Sequence, residues 1–204
     1  MCPPLMLNHK EFITTYTRLQ YLSYIPEIRL FLRDDKHLHS FLQQELNNNT
    51  PYPFWAYVWA GGLALARYII DNPHIVRDRH VSDYCAGSGI VGIAASLSGA
   101  ASVTCVDTDP IALSTINLNA KANGITINVS ETLENRELVL AGDPALTHTV
   151  FDTLKSSDLA LIGYPIRKEE FLVGFDIISS YHIINDEFIN GAQVHVSQVF
   201  NKTR

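Results

Sequence analysis

Two neighbouring runs hold the residues best placed to do chemistry: Val81-Ser-Asp-Tyr-Cys-Ala-Gly-Ser-Gly-Ile-Val-Gly-Ile-Ala-Ala95 and Val103-Thr-Cys-Val-Asp-Thr-Asp-Pro110. Gly87 and Gly89 stand between a strand-like stretch and a helix-like one. Lacking Cβ, they let the backbone approach a ligand closely at a helix N-terminus. An ordinary glycine turn with tight helix–strand packing is the plainer alternative. Asp107 ends the next strand-like stretch, 20 residues beyond Gly87. A carboxylate there can accept hydrogen bonds from ribose hydroxyls. Asp83 lies inside the first stretch, within reach of loop amides or of a charged amino group; buried there, it needs partners. Asp109 before Pro110 suits a helix N-cap with proline at the first helical position, and is also a candidate ligand contact.

These residues need elements to hold them. Strands are expected over 81–85 and 102–106, near 125–130 and 136–141, and over 158–163. Helices are expected over about 89–98, from 110 to a left-handed cap at Asn123-Gly124, and over about 144–155. Two β-rich runs, 174–182 and 192–199, flank an Asn190-Gly191 turn. Such alternation ending in a hairpin implies an α/β fold with a mostly parallel sheet and an antiparallel edge strand. Upstream, Gly61-Gly62 opens a helix running to about residue 71. Residues 11–22 and 36–46 carry apolar residues at helical spacing, and the run 47–53 is the clearest boundary. This divides the chain into an N-terminal helical accessory segment, 1–50, and a main domain, 51–204.

Composition narrows the class. With 204 residues, 47% of them hydrophobic and 18% charged, the chain can bury one core of ordinary size. A net charge of −6 argues against a general nucleic-acid footprint. Neither a membrane span nor a signal peptide is legible. Three cysteines without a C-x-x-C point to free thiols in a reducing compartment, so a cytoplasmic enzyme is expected. The eight histidines show no metal-ligand spacing.

Gly87-Ser-Gly-Ile-Val-Gly92 spells the dinucleotide pattern G-x-G-x-x-G, which raises NAD beside S-adenosyl-L-methionine (SAM) as cofactor. An acid at position 83 would repel a pyrophosphate. The Asp107-Thr-Asp-Pro-Ile-Ala-Leu run, followed by Asn117-Leu-Asn-Ala-Lys-Ala-Asn-Gly124, resembles the early motifs of class I SAM-dependent methyltransferases. The segment Pro51-Tyr-Pro-Phe-Trp-Ala-Tyr-Val-Trp-Ala-Gly-Gly62 and its continuation to Pro73 resemble one subgroup. That subgroup holds the lysine methyltransferases of electron-transfer flavoprotein β-subunit, relatives of the ribosomal protein L11 methyltransferases. Glu137 to Asp143 and Ala160 to Arg167 resemble it too.

The resemblance implies a Rossmann-like seven-stranded sheet in the order 3-2-1-4-5-7-6, helices on both faces, and methyl transfer from SAM to nitrogen. The expected acceptor is a protein lysine. It also implies roles for particular residues. Asp83, Gly87, Gly89, Asp107 and Asp109 would hold the cofactor, with Glu131 near its adenine. Trp55 and Trp59 would pack over it, since an aromatic face suits a sulfonium. Asp143 would face the methyl group and the incoming amine. The bland readings remain beside these: Glu131 as a turn residue, the tryptophans as glue for the N-terminal layer, Asp143 as an N-cap before Pro144. Three positions depart from the subgroup. The aromatic usual shortly after the acid is absent from Gly142-Asp-Pro-Ala-Leu-Thr-His148, Tyr164 stands where an acid is usual, and Cys85 replaces a loop glycine. A ribosomal protein or small amine as acceptor, a SAM-binding module without catalysis, and an NAD-dependent oxidoreductase therefore stay open.

Overall fold

The computed structural model describes residues 8–33, 52–144, 147–165, 175–183 and 192–199. The expected helix at 36–46 and the Asn190-Gly191 turn lie outside them.

Helix α1 (His9–Tyr16) opens with a capping box, in which Asn8 accepts the Glu11 N–H and Glu11 reaches back. It then stops six residues short of the expected end. Thr17 turns extended, and its hydroxyl donates to the Ile13 carbonyl at 2.6 Å. Residues Thr17–Leu22 form strand β1, antiparallel to β2 (Ile25–Arg33). The helical spacing of Phe12, Tyr16 and Leu19 was misleading, for Leu19 is exposed. In β2, Ile28, Leu30 and Leu32 alternate inward and join one hydrophobic core with the helices that follow. Pairing with a strand that buries this much apolar surface outweighs a weak helical preference. Residues 8–33 of the N-terminal segment are thus a helix and a hairpin rather than helical throughout.

The main sheet holds β3 (His80–Tyr84), β4 (Ser102–Val106), β5 (Asn128–Ser130), β6 (Leu138–Gly142), β7 (Leu159–Pro165), β8 (Phe175–Ile183) and β9 (Ala192–Val199). Its order is β5-β4-β3-β6-β7-β9-β8. With β3 counted as the first strand, this is the expected 3-2-1-4-5-7-6. Strands β3 to β7 pair in parallel, and β9 runs antiparallel to both β7 and β8. Helices α2 (Ala60–Asp71), α3 (Ile90–Leu97) and α4 (Pro110–Ala122) share the core that includes β2. Helix α5 (His148–Lys155) covers Val139, Ala141, Ala160 and Ile162, a separate apolar cluster. No helix among the described residues is long and apolar enough to cross a membrane.

The hairpin reaches the loop after β3 through a helix. Buried Asn119 of α4 accepts the Phe31 N–H at 2.7 Å and donates to the Ser88 carbonyl at 2.9 Å. One turn later Asn123 accepts the Arg29 N–H at 3.0 Å and donates to its carbonyl at 2.7 Å. Two amides spaced i, i+4 therefore satisfy backbone groups of β2 as another strand would. Asn119→Ala leaves the Phe31 N–H and the Ser88 carbonyl buried without these partners. A loss of about 2–4 kcal/mol in urea unfolding is expected. Stability within 1 kcal/mol of wild type, on the order of a surface substitution, would count against this bridge.

Candidate active site

The turn from β3 into α3 is built from left-handed residues: Cys85, Gly87 and Gly89 have φ of 59°, 52° and 78°. The Ala86 N–H donates to the Val106 carbonyl at 3.0 Å, and the Gly89 N–H to the Ala86 carbonyl at 2.8 Å. Cys85 holds a conformation that costs a side chain about 1–2 kcal/mol, the physical reason a glycine suits that position. Burial pushes its thiol up to about 12, with Asp107 adding to the shift. Gly87 lines a cavity at the carboxyl edge of the sheet. Gly89 lies outside the lining: it caps α3, and a Cβ there would approach Ile116 of α4 at 3.0 Å. Its role is to let α3 and α4 close together.

Asp107 leaves the end of β4 and enters the cavity wall. One carboxylate oxygen accepts the Gly87 N–H at 2.8 Å and the other accepts the Asp109 N–H at 3.0 Å. These bonds fix its plane. Two of its roughly four acceptor positions are used, which leaves capacity for a pair of hydroxyls. Asp109 itself caps α4, its carboxylate accepting the Ile111 N–H at 2.8 Å, and does not line the cavity. An N-cap side chain folds back on its own helix, so Asp109 steers Asp107 from behind.

Asp83 is also displaced from its expected place. Strand alternation sends its side chain under α3, where it is 1% exposed and accepts the Gly92 N–H at 2.8 Å, with the Cys105 thiol at 3.8 Å. Gly92 is small enough to leave that space, since a Cβ there would collide with the Cys105 sulfur. The third glycine of the dinucleotide-like pattern thus serves helix–strand packing around a buried acid. Burial raises the Asp83 carboxyl to about 7 against the lowering pull of the Gly92 N–H, and the Asp107 charge adds to the rise. A folded-state value above the unfolded one means the folded chain binds the extra proton between about pH 4 and 7. The stabilisation is full below about pH 4 and is lost as pH rises through 7. In urea unfolding, the advantage of wild type over Asp83→Asn is expected to shrink by about 2–3 kcal/mol from pH 5 to pH 8. Parallel stability profiles of the two proteins would refute this.

The two tryptophans part company. Trp55 is 2% exposed and packs with Ile13, Ala56 and Ala112, its ring 6.1 Å from that of Phe12, so it joins α1 to α4. Trp59 lines the cavity, and its indole N–H donates to the Phe54 carbonyl at 3.3 Å. Trp55 sits within a 3-10 turn, Phe54–Ala56, and the chain leaves that turn extended at Tyr57 before Trp59 caps α2. Glu131 lines the far side with Thr132 and Leu133.

Asp143 closes the other end. Its φ is 54°, its N–H donates to the Gly163 carbonyl at 2.8 Å, and its carboxylate accepts the Gly61 N–H. Helix α2 is capped at Trp59 without a side-chain bond, so an acid from another strand holds its N-terminus, where negative charge is favoured. The contact is possible because α2 lies on the ends of β6 and β7: a Cβ on Gly61 would overlap the Gly163 carbonyl. Asp143 is not the cap of α5; Thr147 is, accepting the Val150 N–H at 3.3 Å.

The cavity measures about 960 Å³ and runs from Gly87, Asp107 and Glu131 to Trp59 and Asp143. That holds a cofactor-sized molecule and leaves room for an acceptor side chain. Phe54, Leu133, Arg136, Thr153 and Tyr164 also line it, and none was expected as a site residue. Phe54 was visible only as part of an aromatic run. Leu133 and Arg136 come from an irregular connection that carries no periodic signal. Among the described residues no three His, Cys, Asp or Glu side chains group to hold a metal.

Solved structures share the fold of the sheet and its helices. The ribosomal protein L11 methylase of Lactobacillus delbrueckii subsp. bulgaricus superposes with TM-score 0.50 at 22% identity, covering 67% of this chain and 77% of that one. This is the class I methyltransferase fold. A second structure with the fold is the tRNA (uracil-54, C5)-methyltransferase of Pyrococcus abyssi in complex with S-adenosyl-L-homocysteine (SAH), with TM-score 0.51 and 14% identity over 70% of this chain and 40% of that one. In sequence, residues 67–147 match the family described as ribosomal protein L11 methyltransferase (PrmA). The electron transfer flavoprotein beta subunit lysine methyltransferase of Rattus norvegicus is 38% identical over 141 residues, 65% of this chain and 54% of that protein. The chain spans about half the length of the curated relatives it matches.

Proposed function

We propose that this protein is a SAM-dependent N-methyltransferase acting on a protein lysine, with the electron-transfer flavoprotein β-subunit as candidate substrate. The observation that carries this is one cavity with Asp107, squared up by Gly87 and Asp109, at one end and Asp143, tied to α2, at the other. The similarity to the rat enzyme supports the choice of acceptor.

The residues present fit the cofactor. Asp107 would accept hydrogen bonds from the two ribose hydroxyls, Gly87 would allow close approach of the loop, and Glu131 with Leu133 would wall the base. Trp59 covers the site and excludes water. When bound, SAM supplies a methyl group on a sulfonium, already joined to a good leaving group. The protein therefore contributes position more than activation. Asp143 accepts a hydrogen bond from the incoming amine and takes the proton that the amine loses. Its bond to Gly61 keeps the carboxylate turned to the site while that happens. Residence in a reducing, cytoplasmic compartment, in keeping with the free Cys85 and Cys105, belongs to the same proposal.

The test is transfer of labelled methyl from SAM to purified electron-transfer flavoprotein and to a cell extract, with Asp143→Asn as control. Label in the β-subunit, mapped to lysine and lost in the control, is the expected result. The match to ribosomal protein L11 methyltransferases favours a ribosomal protein as second reading, and label there instead would replace the first. No label in any protein would remove protein methylation altogether.

A further inference from the structure

The Gly61–Asp143–Gly163 junction is flanked by two aromatic residues. Trp59 precedes Gly61 by two residues at the N-terminus of α2. Tyr164 follows Gly163 on β7, whose neighbour β6 ends in register beside it, Gly142 opposite Gly163. Trp59, Asp143 and Tyr164 therefore stand around one junction of three chain segments, and all three line the same cavity. Phe54 extends the wall on the Trp59 side, the two rings 5.7 Å apart. Tyr164 is braced from outside: its ring meets His195 of β9 edge-on at 6.3 Å, and His195 is hydrogen-bonded to Ser180 of β8 at 2.8 Å.

An unbranched alkylammonium asks for this chemistry. Its methylene stem wants apolar walls, its cationic head wants a carboxylate and aromatic faces, and its narrow section suits a slot between rings. The stretch after Asp143, Pro144-Ala-Leu-Thr-His148, holds no Phe, Tyr or Trp. The ring on that side comes instead from β7.

We infer that Tyr164 is a specificity-determining residue that forms, opposite Trp59 and Phe54, the wall of a slot for a primary alkylammonium, with Asp143 at its floor. This rests on the methyltransferase reading and deepens its acceptor end. It assigns Tyr164 to the acceptor and not to the cofactor. The ring, not the hydroxyl, does the work.

The experiment is calorimetric titration of the full chain, saturated with SAH, with n-butylammonium as the lysine side-chain probe. Wild type and Tyr164→Phe are expected to take the amine alike, and Tyr164→Ala at least about tenfold more weakly. SAH affinity should be the same in all three, a readout that a merely structural tyrosine would not preserve. Equal amine binding by Tyr164→Ala, a parallel loss of SAH affinity, or no amine uptake by wild type each overturns the inference. If wild type fails to bind SAH, the proposed function falls. The same titration without SAH still compares wild type with Tyr164→Ala, and equal or absent amine binding there overturns the Tyr164 assignment on its own.

Discussion

Gly61→Ala protein is expected to lose at least about 3 kcal/mol of stability in urea unfolding. Its methyl-transfer rate is expected to fall about 100-fold where it still folds. The added Cβ would overlap the Gly163 carbonyl and stand 2.8 Å from the Asp143 carboxylate. A backbone carbonyl on a central strand cannot rotate away as a side-chain tip can. Helix α2 must lift, and with it Leu63, Leu65 and Ile69, all fully buried. Lifting also breaks the Gly61–Asp143 bond, which frees the carboxylate that the proposed chemistry needs held still. Gly62→Ala is the control. Its Cβ would meet Ile90 at 3.4 Å, an ordinary contact, and alanine suits a helix better than glycine. It should remain within about 1 kcal/mol of wild type. Equal stability of the two variants would mean that the close packing of α2 on β7 is not what holds Asp143.

Asp107→Ala is expected to weaken SAH binding by at least about 100-fold in calorimetry, from the loss of two charge-assisted hydrogen bonds of about 1.5–3 kcal/mol each. The geometry makes a sharper claim than the loss alone. Asp109→Ala removes the cap of α4 and should cost about 1 kcal/mol in stability, yet change SAH affinity less than about threefold. Its carboxylate faces Ile111, and what steers Asp107 is the backbone N–H of residue 109, which alanine keeps. If Asp109→Ala weakened SAH as much as Asp107→Ala, the assignment of one acid to the ribose and the other to the helix would be wrong.

The difference between Asp107 and Asp109 also marks how far sequence reasoning reached. An acid at a strand end and an Asp-Pro at a helix start are both local signals, and helix α4 begins at Pro110 with Asp109 as its cap as expected. The glycine turn, the order of alternating elements and the closing antiparallel strand were legible for the same reason. Each depends on residues within a few positions of one another, or on a handedness and connectivity rule that leaves few choices. The N-terminal segment was less so. Helical spacing over 11–22 is real, but it says nothing of a partner strand at 25–33 or of the two asparagines on α4 that satisfy its backbone.

The site divides along the same line. From the sequence alone came the glycine turn beside the cavity, the acid in its wall and the aromatic run, because a chain that needs left-handed φ or a helix cap must write them locally. Only the tertiary structure decided which way each side chain pointed. Asp83 went under α3 because strand alternation left it no other face. Trp55 entered the core from within a 3-10 turn, while Trp59 reached the cavity from the start of α2. Asp143 found its partner 82 residues away in Gly61. Such a contact depends on how closely α2 can settle on β6 and β7, and so on the absence of side chains at positions that no local pattern connects.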